Sequence, residues 1–104
     1  MNSKISGYLN ICRKANYLII GADNLKFYTK KLYLVCINKN YSNNIIKIAS
    51  KLNDEYKIPV IALNEDIEFL TGITNCQIIG IKNKGLADSI LSQASEFEII
   101  KRGE

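Results

Sequence analysis

The residues best suited to binding chemistry are the Gly-Ala-Asp-Asn segment at positions 21–24. A glycine that follows a short apolar run and precedes small and polar residues is typical of a strand that ends where a helix begins. Free amides at such a helix start can receive phosphate, and its amide and carboxyl side chains can hydrogen-bond base edges. Lys26, Lys30 and Lys31 follow within reach of a phosphate backbone. A simpler interpretation stays open, in which Asp23 only caps the helix and the lysines only solubilise it.

A second candidate is the Gly-Ile-Thr-Asn segment at positions 72–75, a predicted loop between a helix and a strand. An apolar residue beside hydroxyl and amide groups suits contact with unpaired bases. A helix-closing Gly72 and a short loop explain the same residues, and sequence spacing does not show that the two segments are close. The candidate binding residues are Gly21, Ala22, Asp23, Asn24, Lys26, Lys30, Ile73, Thr74 and Asn75.

Catalytic and metal-binding patterns are missing from the sequence. It has no His, which excludes Ser-His-Asp and Cys-His nucleophile systems and any imidazole metal site. The six glycines form neither a dinucleotide-binding nor a P-loop pattern. The carboxylates at positions 54–55 and 65–68 fall on predicted helix ends or outer faces, where acidic residues are normally solvated. We therefore expect no enzyme activity, cofactor, metal or small-molecule substrate.

Composition is that of an ordinary globular domain. The 104 residues are 47% hydrophobic and 23% charged, which predicts one domain over residues 1–104. Fourteen Lys and Arg against ten Asp and Glu, a net charge of +4, mildly favour a polyanionic partner. Cys12, Cys36 and Cys76 are odd in number and widely spaced, so we predict buried, reduced thiols. Without a signal peptide or spanning segment, we expect a cytoplasmic protein with no membrane partner.

Apolar spacing of three and four residues predicts five helices. The clearest covers residues 3–15, with Asn16 ending it in a left-handed conformation. Ser42 is the predicted cap of the third helix, and Gly72 the predicted end of the fourth. The buried stripe of the fifth is predicted to run from Leu86 to Ala94. The remaining predicted helix is a short second one over residues 22–28.

Four short apolar runs are predicted strands, at residues 17–20, 32–37, 60–63 and 77–81. The second is a run of six apolar residues, as expected of a central strand covered on both faces. The segment from Ser95 onward receives no prediction. Helices and strands alternate throughout, which favours an α/β fold with helices on both faces of a largely parallel or mixed sheet.

A family resemblance rests on six short blocks of sequence that are spread over nearly the whole chain. In chain order they are Arg13-Lys14-Ala15-Asn16, residues 18–21, Leu32-Tyr33-Leu34-Val35, Ile58-Pro59-Val60, Phe69-Leu70-Thr71-Gly72 and Ile78-Ile79-Gly80-Ile81. With this order and spacing, the sequence resembles the ribosomal protein L-seven-Ae family, and in particular its small bacterial branch of YlxQ type. The resemblance implies a three-layer α-β-α sandwich around a four-stranded mixed sheet. It also implies a non-catalytic RNA-binding protein.

In this family the RNA is a kink-turn, a sharply bent duplex element with sheared G·A pairs. A Gly-x-Asn-Glu motif at the start of the second helix enters the bent groove, and a loop before the last strand contacts unstacked bases. The resemblance places these functions at residues 21–24 and 73–75. The partner it implies is structured ribosomal or regulatory RNA, with association to the ribosome.

The sequence departs from the strong kink-turn binders at three places. It has Asp23-Asn24 where they have Asn-Glu, and Ile20 where they usually have a lysine. The segment between Gly21 and the second strand is also about two residues shorter than is usual in the family. Since a carboxylate accepts hydrogen bonds but cannot donate them, Asp23 and Asn24 would share the reading of guanine edges differently.

Two further interpretations keep the same fold. In the first, the protein is a structural or protein-binding module, or it binds RNA by shape and charge without kink-turn specificity. In the second, it is a detached substrate-recognition domain, because similar folds accompany some RNA methyltransferases. The altered Asp23-Asn24 pair favours the first, and the second requires a separate partner chain.

Overall fold

The computed structural model describes residues 3–28 and 30–103. Helices and strands alternate along this part of the chain, as the sequence predicts. The elements are α1 (Lys4–Lys14), β1 (Leu18–Ile20), α2 (Ala22–Lys26), β2 (Leu34–Asn38), α3 (Asn43–Tyr56), β3 (Val60–Leu63), α4 (Ile67–Thr71), β4 (Ile78–Ile81), α5 (Lys84–Leu91), a 3-10 turn (Ala94–Glu96) and β5 (Phe97–Lys101).

The strands form one mixed sheet with the order β1-β4-β2-β3-β5. β2 and β3 are parallel, and the other neighbouring strands are antiparallel. The prediction of a mixed sheet is confirmed, but the predicted count of four strands is wrong, because β5 joins the free edge of β3. β5 lacks a clear apolar period: Phe97 and Ile100 are half-buried and the three residues between and after them are exposed. Its place in the sheet depends on backbone pairing with β3 and on Phe97 and Ile100, which pack against the apolar clusters on the two faces of the sheet.

Each face of β2 has its own apolar cluster, because successive side chains of a strand point to opposite faces. Leu34 and Cys36 belong to a cluster that includes buried residues of α1, α4 and α5. Val35 and Ile37 belong to a second cluster, with buried residues of α2 and α3. The three cysteines are free and buried, and all lie in the first cluster, as expected of structural thiols.

Local capping accounts for where several helices begin and end. The Ser42 hydroxyl accepts a hydrogen bond from the Ile45 amide at 3.2 Å, which confirms its prediction as the cap of α3. Asn83 caps α5 in the same way, with its side-chain oxygen 2.9 Å from the Leu86 nitrogen. Gly72, with φ 75°, ends α4 as predicted, and Asn16 follows α1 with φ 62°.

Two helix predictions extend too far. α2 ends at Lys26 rather than at residue 28, although the half-buried Tyr28 still packs against the second cluster. α5 ends at Leu91, so the prediction that Ala94 belongs to its buried stripe is wrong. Ala94 is exposed and begins the 3-10 turn that directs the chain into β5. Among the described residues, no helix has the length and apolar character needed to cross a bilayer.

Candidate functional site

The strand directions bring the carboxyl ends of β1, β2 and β3 to one end of the sheet. β1 and β2 both run antiparallel to β4, and β3 runs parallel to β2. The amino ends of the antiparallel strands β4 and β5 lie at this same end. We call it the carboxyl edge: Gly21 follows β1 there, Asn64 follows β3, and residues 72–77 lead into β4. In α/β sheets this is the end at which ligands usually bind.

One backbone hydrogen bond joins the first candidate segment to β4, the strand that follows the second candidate segment. The Gly21 nitrogen donates to the carbonyl oxygen of Ile78 at 3.0 Å, immediately beyond the pairing of Ile20 with Ile79. The start of α2 therefore lies beside the residues that lead into β4. The antiparallel pairing of β1 with β4 thus brings the start of α2 to the strand that the second candidate segment leads into.

Gly21 is needed for this arrangement because of its backbone conformation. Its φ of 86° and ψ of 158° fall in a region that is populated almost only by glycine. With that conformation the chain leaves β1 and turns directly into α2, whose Leu25 is fully buried in the second cluster. The direction of α2, and with it the exposure of Asp23, follows from a glycine at one end and a buried leucine within the helix.

The polar residues of α2 face solvent. Asp23, Asn24 and Lys26 are exposed, whereas Ala22 is half-buried against the second cluster. The N-cap position of α2 is Gly21, so Asp23 is not the cap, and its carboxylate has no hydrogen-bond partner within the described ranges. The Asn24 amide nitrogen donates to the Ile20 carbonyl at 2.7 Å, which holds this side chain over the end of β1. Asp23 therefore has the freer side chain of the two.

The neighbouring loop is held by side chains of α4. The Thr71 hydroxyl accepts from the Ile73 amide at 3.2 Å, and the Glu68 carboxylate accepts from the Asn75 amide at 3.2 Å. Thr74 and Asn75 are exposed, and Asn75 is in a left-handed conformation with φ 58°. Ile73 is half-buried against the first cluster. Thr74 and Asn75 are thus the polar groups that the loop presents, and only part of Ile73 remains for an apolar contact.

Arg13 is a candidate that sequence reasoning missed. Its guanidinium donates to the Thr71 carbonyl at 2.7 Å, and a Cβ on Gly72 would lie 3.7 Å from the same nitrogen. Read locally, Arg13 is a cation in the last turn of α1, where it complements the helix dipole. The packing of α1 against α4 brings it to the start of the loop, so it adds a positive charge beside Thr71 and Gly72.

Lys30 is the predicted site residue that the structure does not bring to the carboxyl edge. It lies in the connection to β2, whose amino end is at the opposite end of the sheet. There the Tyr33 nitrogen donates to the Ile81 carbonyl at 3.0 Å, and the Lys31 ammonium lies 5.5 Å from the centroid of the Tyr33 ring. Lys30 can contact a ligand at the carboxyl edge only if that ligand extends along α2.

The thiols are unsuited to nucleophilic chemistry. Burial raises the pKa of the Cys12 thiol to about 11, and burial also raises the pKa values of Cys36 and Cys76. A neutral, buried thiol is a poor nucleophile and a poor metal ligand. Across residues 3–28 and 30–103, no three Cys, Asp or Glu side chains are grouped as a metal ion would require. The chemistry that the carboxyl edge offers is hydrogen bonding and charge.

Comparison with known proteins identifies the fold but no family. No protein-family model matches the chain, and no curated protein matches its sequence. A protein of unknown function from Bacillus halodurans has a similar structure, with a TM-score of 0.70 and 20% sequence identity. The match covers 91% of this chain and 100% of that chain. At this identity the similarity shows a shared fold, and the ligand must be argued from the site itself.

Proposed function

We propose that this protein is a non-catalytic RNA-binding protein that holds a kink-turn or another bent, structured RNA at the carboxyl edge. The hydrogen bond from Gly21 to Ile78 carries the proposal, because it fixes the start of α2, with the exposed Asp23, to the beginning of β4, the strand that follows the exposed Thr74 and Asn75. Fold alone does not imply function, so the chemistry of that surface is the main support.

The finer description of the fold belongs to the same proposal. With α1, α4 and α5 contributing to one apolar cluster and α2 and α3 to the other, the arrangement supports a three-layer α-β-α sandwich. Together with the six sequence blocks, this supports membership of the L-seven-Ae family in its YlxQ-type branch. We place the protein in the cytoplasm and in association with ribosomal or regulatory RNA.

Recognition would combine hydrogen bonds to bases with charge contacts to phosphates. The free Asp23 carboxylate can accept from guanine or from an amino group of another base, and Thr74 and Asn75 can donate or accept on the other side. Arg13, at the start of the loop, and Lys26, three residues after Asp23 on α2, are exposed cations. Phosphate contacts of this kind position an RNA, while Asp23, Asn24 and the loop would select its shape and bases.

A second candidate function is binding by shape and charge alone, or use of the surface for a protein partner. The Asn24 side chain favours it, because its amide nitrogen already donates to Ile20 and is less available to a base. Asp23 also replaces a residue that can both donate and accept. These two features weaken base recognition but leave the exposed cations in place.

Titration of a kink-turn RNA against a straight duplex of equal length tests the proposal. We expect at least about tenfold tighter binding of the kink-turn RNA, equivalent to about 1.4 kcal/mol. The double variant Asp23→Ala, Asn24→Ala should remove most of this preference, and Lys101→Ala, which changes an exposed residue of β5, should not. Equal affinities for the two RNAs would leave only the mode based on shape and charge.

The salt dependence of RNA affinity measures the electrostatic part of the binding free energy. If about four phosphates are neutralised, the affinity should fall with a logarithmic slope of roughly 3 to 4 as salt rises. Lys26→Ala should reduce that slope by about one. A filter-binding titration without any salt dependence would contradict the proposal, whichever RNA is used.

A further inference from the structure

A groove of about 310 Å³ lies between α2 and α3, outside the carboxyl edge. Phe27 is its most exposed apolar wall: 82% of this residue is accessible, although phenylalanine is usually buried. Ile48 and Leu52 of α3 complete the apolar lining, and Lys26, Lys51 and Glu55 are at its rim. The groove therefore combines an aromatic surface with charged groups.

The charges at the rim come from both helices. Lys26 is on α2 and Lys51 on α3, and both are exposed. Glu55 lies one turn beyond Lys51, and within the described residues no ion pair forms between them. Two cations and one hydrogen-bond acceptor around an apolar wall complement a nucleotide, which has a flat base, a negative phosphate and, in three of the four bases, an amino group.

We infer that this groove binds an unpaired nucleobase of the RNA held at the carboxyl edge, an inference that rests on the proposed function. The base stacks on Phe27, Lys26 and Lys51 contact the flanking phosphates, and the Glu55 carboxylate accepts from an amino group of the base. Stacking on aromatic side chains and contact with Lys are the general means by which proteins hold single-stranded nucleic acid.

α2 leads from the carboxyl edge, where Gly21 precedes it, to the groove, which is lined by Lys26 and Phe27 at its end. This helix has five residues, which at 1.5 Å per residue is about 7.5 Å. A single strand leaving the start of α2 therefore reaches Phe27 within a short stretch, and Lys30 follows beyond it. An RNA strand on this path could contact Lys30, which an RNA confined to the carboxyl edge would not reach.

The charge distribution favours a nucleotide over an apolar peptide as the occupant. An apolar side chain would fill the space against Ile48 and Leu52, but it would leave Lys26 and Lys51 without a counter-charge. A phosphate on either side of a stacked base interacts with both lysines. Binding of a peptide in place of an oligonucleotide would overturn the inference.

Phe27→Trp provides a direct optical test, since the sequence contains no Trp. We expect the fluorescence of the introduced Trp to be quenched by a bent RNA that has a short unpaired extension, and much less by the same RNA with blunt ends. Ile11→Trp is the matched control, because Ile11 is also exposed but lies on α1, which packs on the first cluster rather than the second. Its fluorescence should not distinguish the two RNAs. Equal responses of both variants would overturn the inference.

Affinity measurements separate this inference from the proposed function. Phe27→Ala and Lys51→Ala should each weaken binding of the extended RNA, by roughly tenfold for Phe27→Ala, and should leave binding of the blunt RNA unchanged. Lys101→Ala, which also removes one positive charge, is the control for net charge. If the blunt RNA binds well and the extension adds no affinity, the groove is not a base site although the carboxyl edge still binds RNA. If the blunt bent RNA does not bind, the proposed function itself fails.

Discussion

The centre of the sheet and the carboxyl edge differ in what holds them in place. Every residue of β3, and all of β2 except Asn38, is buried and apolar, in contact with clusters on both faces. At the carboxyl edge Asp23, Thr74 and Asn75 are exposed, and the segments that present them are held by hydrogen bonds to β1, β4 and α4. Buried apolar packing is thus concentrated in the centre, and exposed polar groups at the carboxyl edge. We expect substitutions in the two regions to affect different properties.

The largest effect on stability should come from Ile61→Ala. Ile61 is fully buried in β3, and removing its side chain should lower the free energy of unfolding by about 2–5 kcal/mol, measured by urea denaturation. Its partner on β5, Ile99, is 44% exposed, so Ile99→Ala should cost clearly less. Equal losses of unfolding free energy in the two variants would show that β5 is packed as tightly as β3.

Gly80→Ala should affect both the stability of the fold and the carboxyl edge. A Cβ at this position would lie 2.7 Å from Leu25 Cδ2 and 2.8 Å from Leu32 Cδ1, both on fully buried side chains. We expect about 1–3 kcal/mol of destabilisation from overpacking. RNA affinity should fall as well, since Leu25 anchors α2. In the control Gly85→Ala, the new Cβ would have only the Asn83 side-chain oxygen nearby, at 3.4 Å, and neither property should change much.

Alkaline pH should lower the stability of the fold through Cys12, which lies on α1 in the first cluster. Burial raises the pKa of Cys12 from 9.0 to about 11, so between these values the unfolded chain has lost a proton that the folded protein keeps. Stability is therefore complete below pH 9 and falls as pH rises, by about 1.4 kcal/mol per pH unit for one thiol. Cys12→Ala should make the curve of unfolding free energy against pH less steep. An unchanged curve would contradict the assignment to Cys12.

The smallest effect on stability should come from Asp23→Ala. Its side chain is exposed and has no hydrogen-bond partner in the described part of the chain, so the unfolding free energy should change by less than about 0.5 kcal/mol. Asn24→Ala should cost more, about 0.5–1.5 kcal/mol, because it removes the hydrogen bond to Ile20. A large loss of stability in Asp23→Ala would mean that this residue supports the fold rather than a ligand.

The elements that local pattern could predict are those with a strong period and a local cap. α3 begins after Ser42 as predicted, and β3 has the predicted bounds. β5 escaped prediction because its half-buried residues show no regular alternation and its partner lies some 35 positions earlier in the chain. The predicted ends of α2 and α5 lie too far along the chain, because apolar spacing continues beyond each helix. Tyr28 has the spacing of a helix residue but contacts the second cluster from beyond the end of α2. Ala94 has the spacing of the α5 stripe but is exposed.

The candidate site was only partly predictable. Residue type and position identified Gly21–Asn24 and residues 73–75, because glycine-led helix starts and helix-closing loops have local signals. Arg13 was read as a cation at a helix end, and Phe27 received no role at all. No local signal distinguishes an aromatic residue that the fold buries from one that it leaves 82% exposed beside another helix.

The sequence by itself determined the helices and apolar runs, since helix period, capping and turn formation depend on residues a few positions apart. The tertiary structure alone decided that β4 lies between β1 and β2, and therefore that the start of α2 is hydrogen-bonded to the beginning of β4, while the packing of α1 against α4 decided that Arg13 meets Thr71. Strand order is set by backbone hydrogen bonds and by packing between distant segments. Those backbone bonds are the same for every residue type except proline, so local sequence does not specify which strand becomes the neighbour.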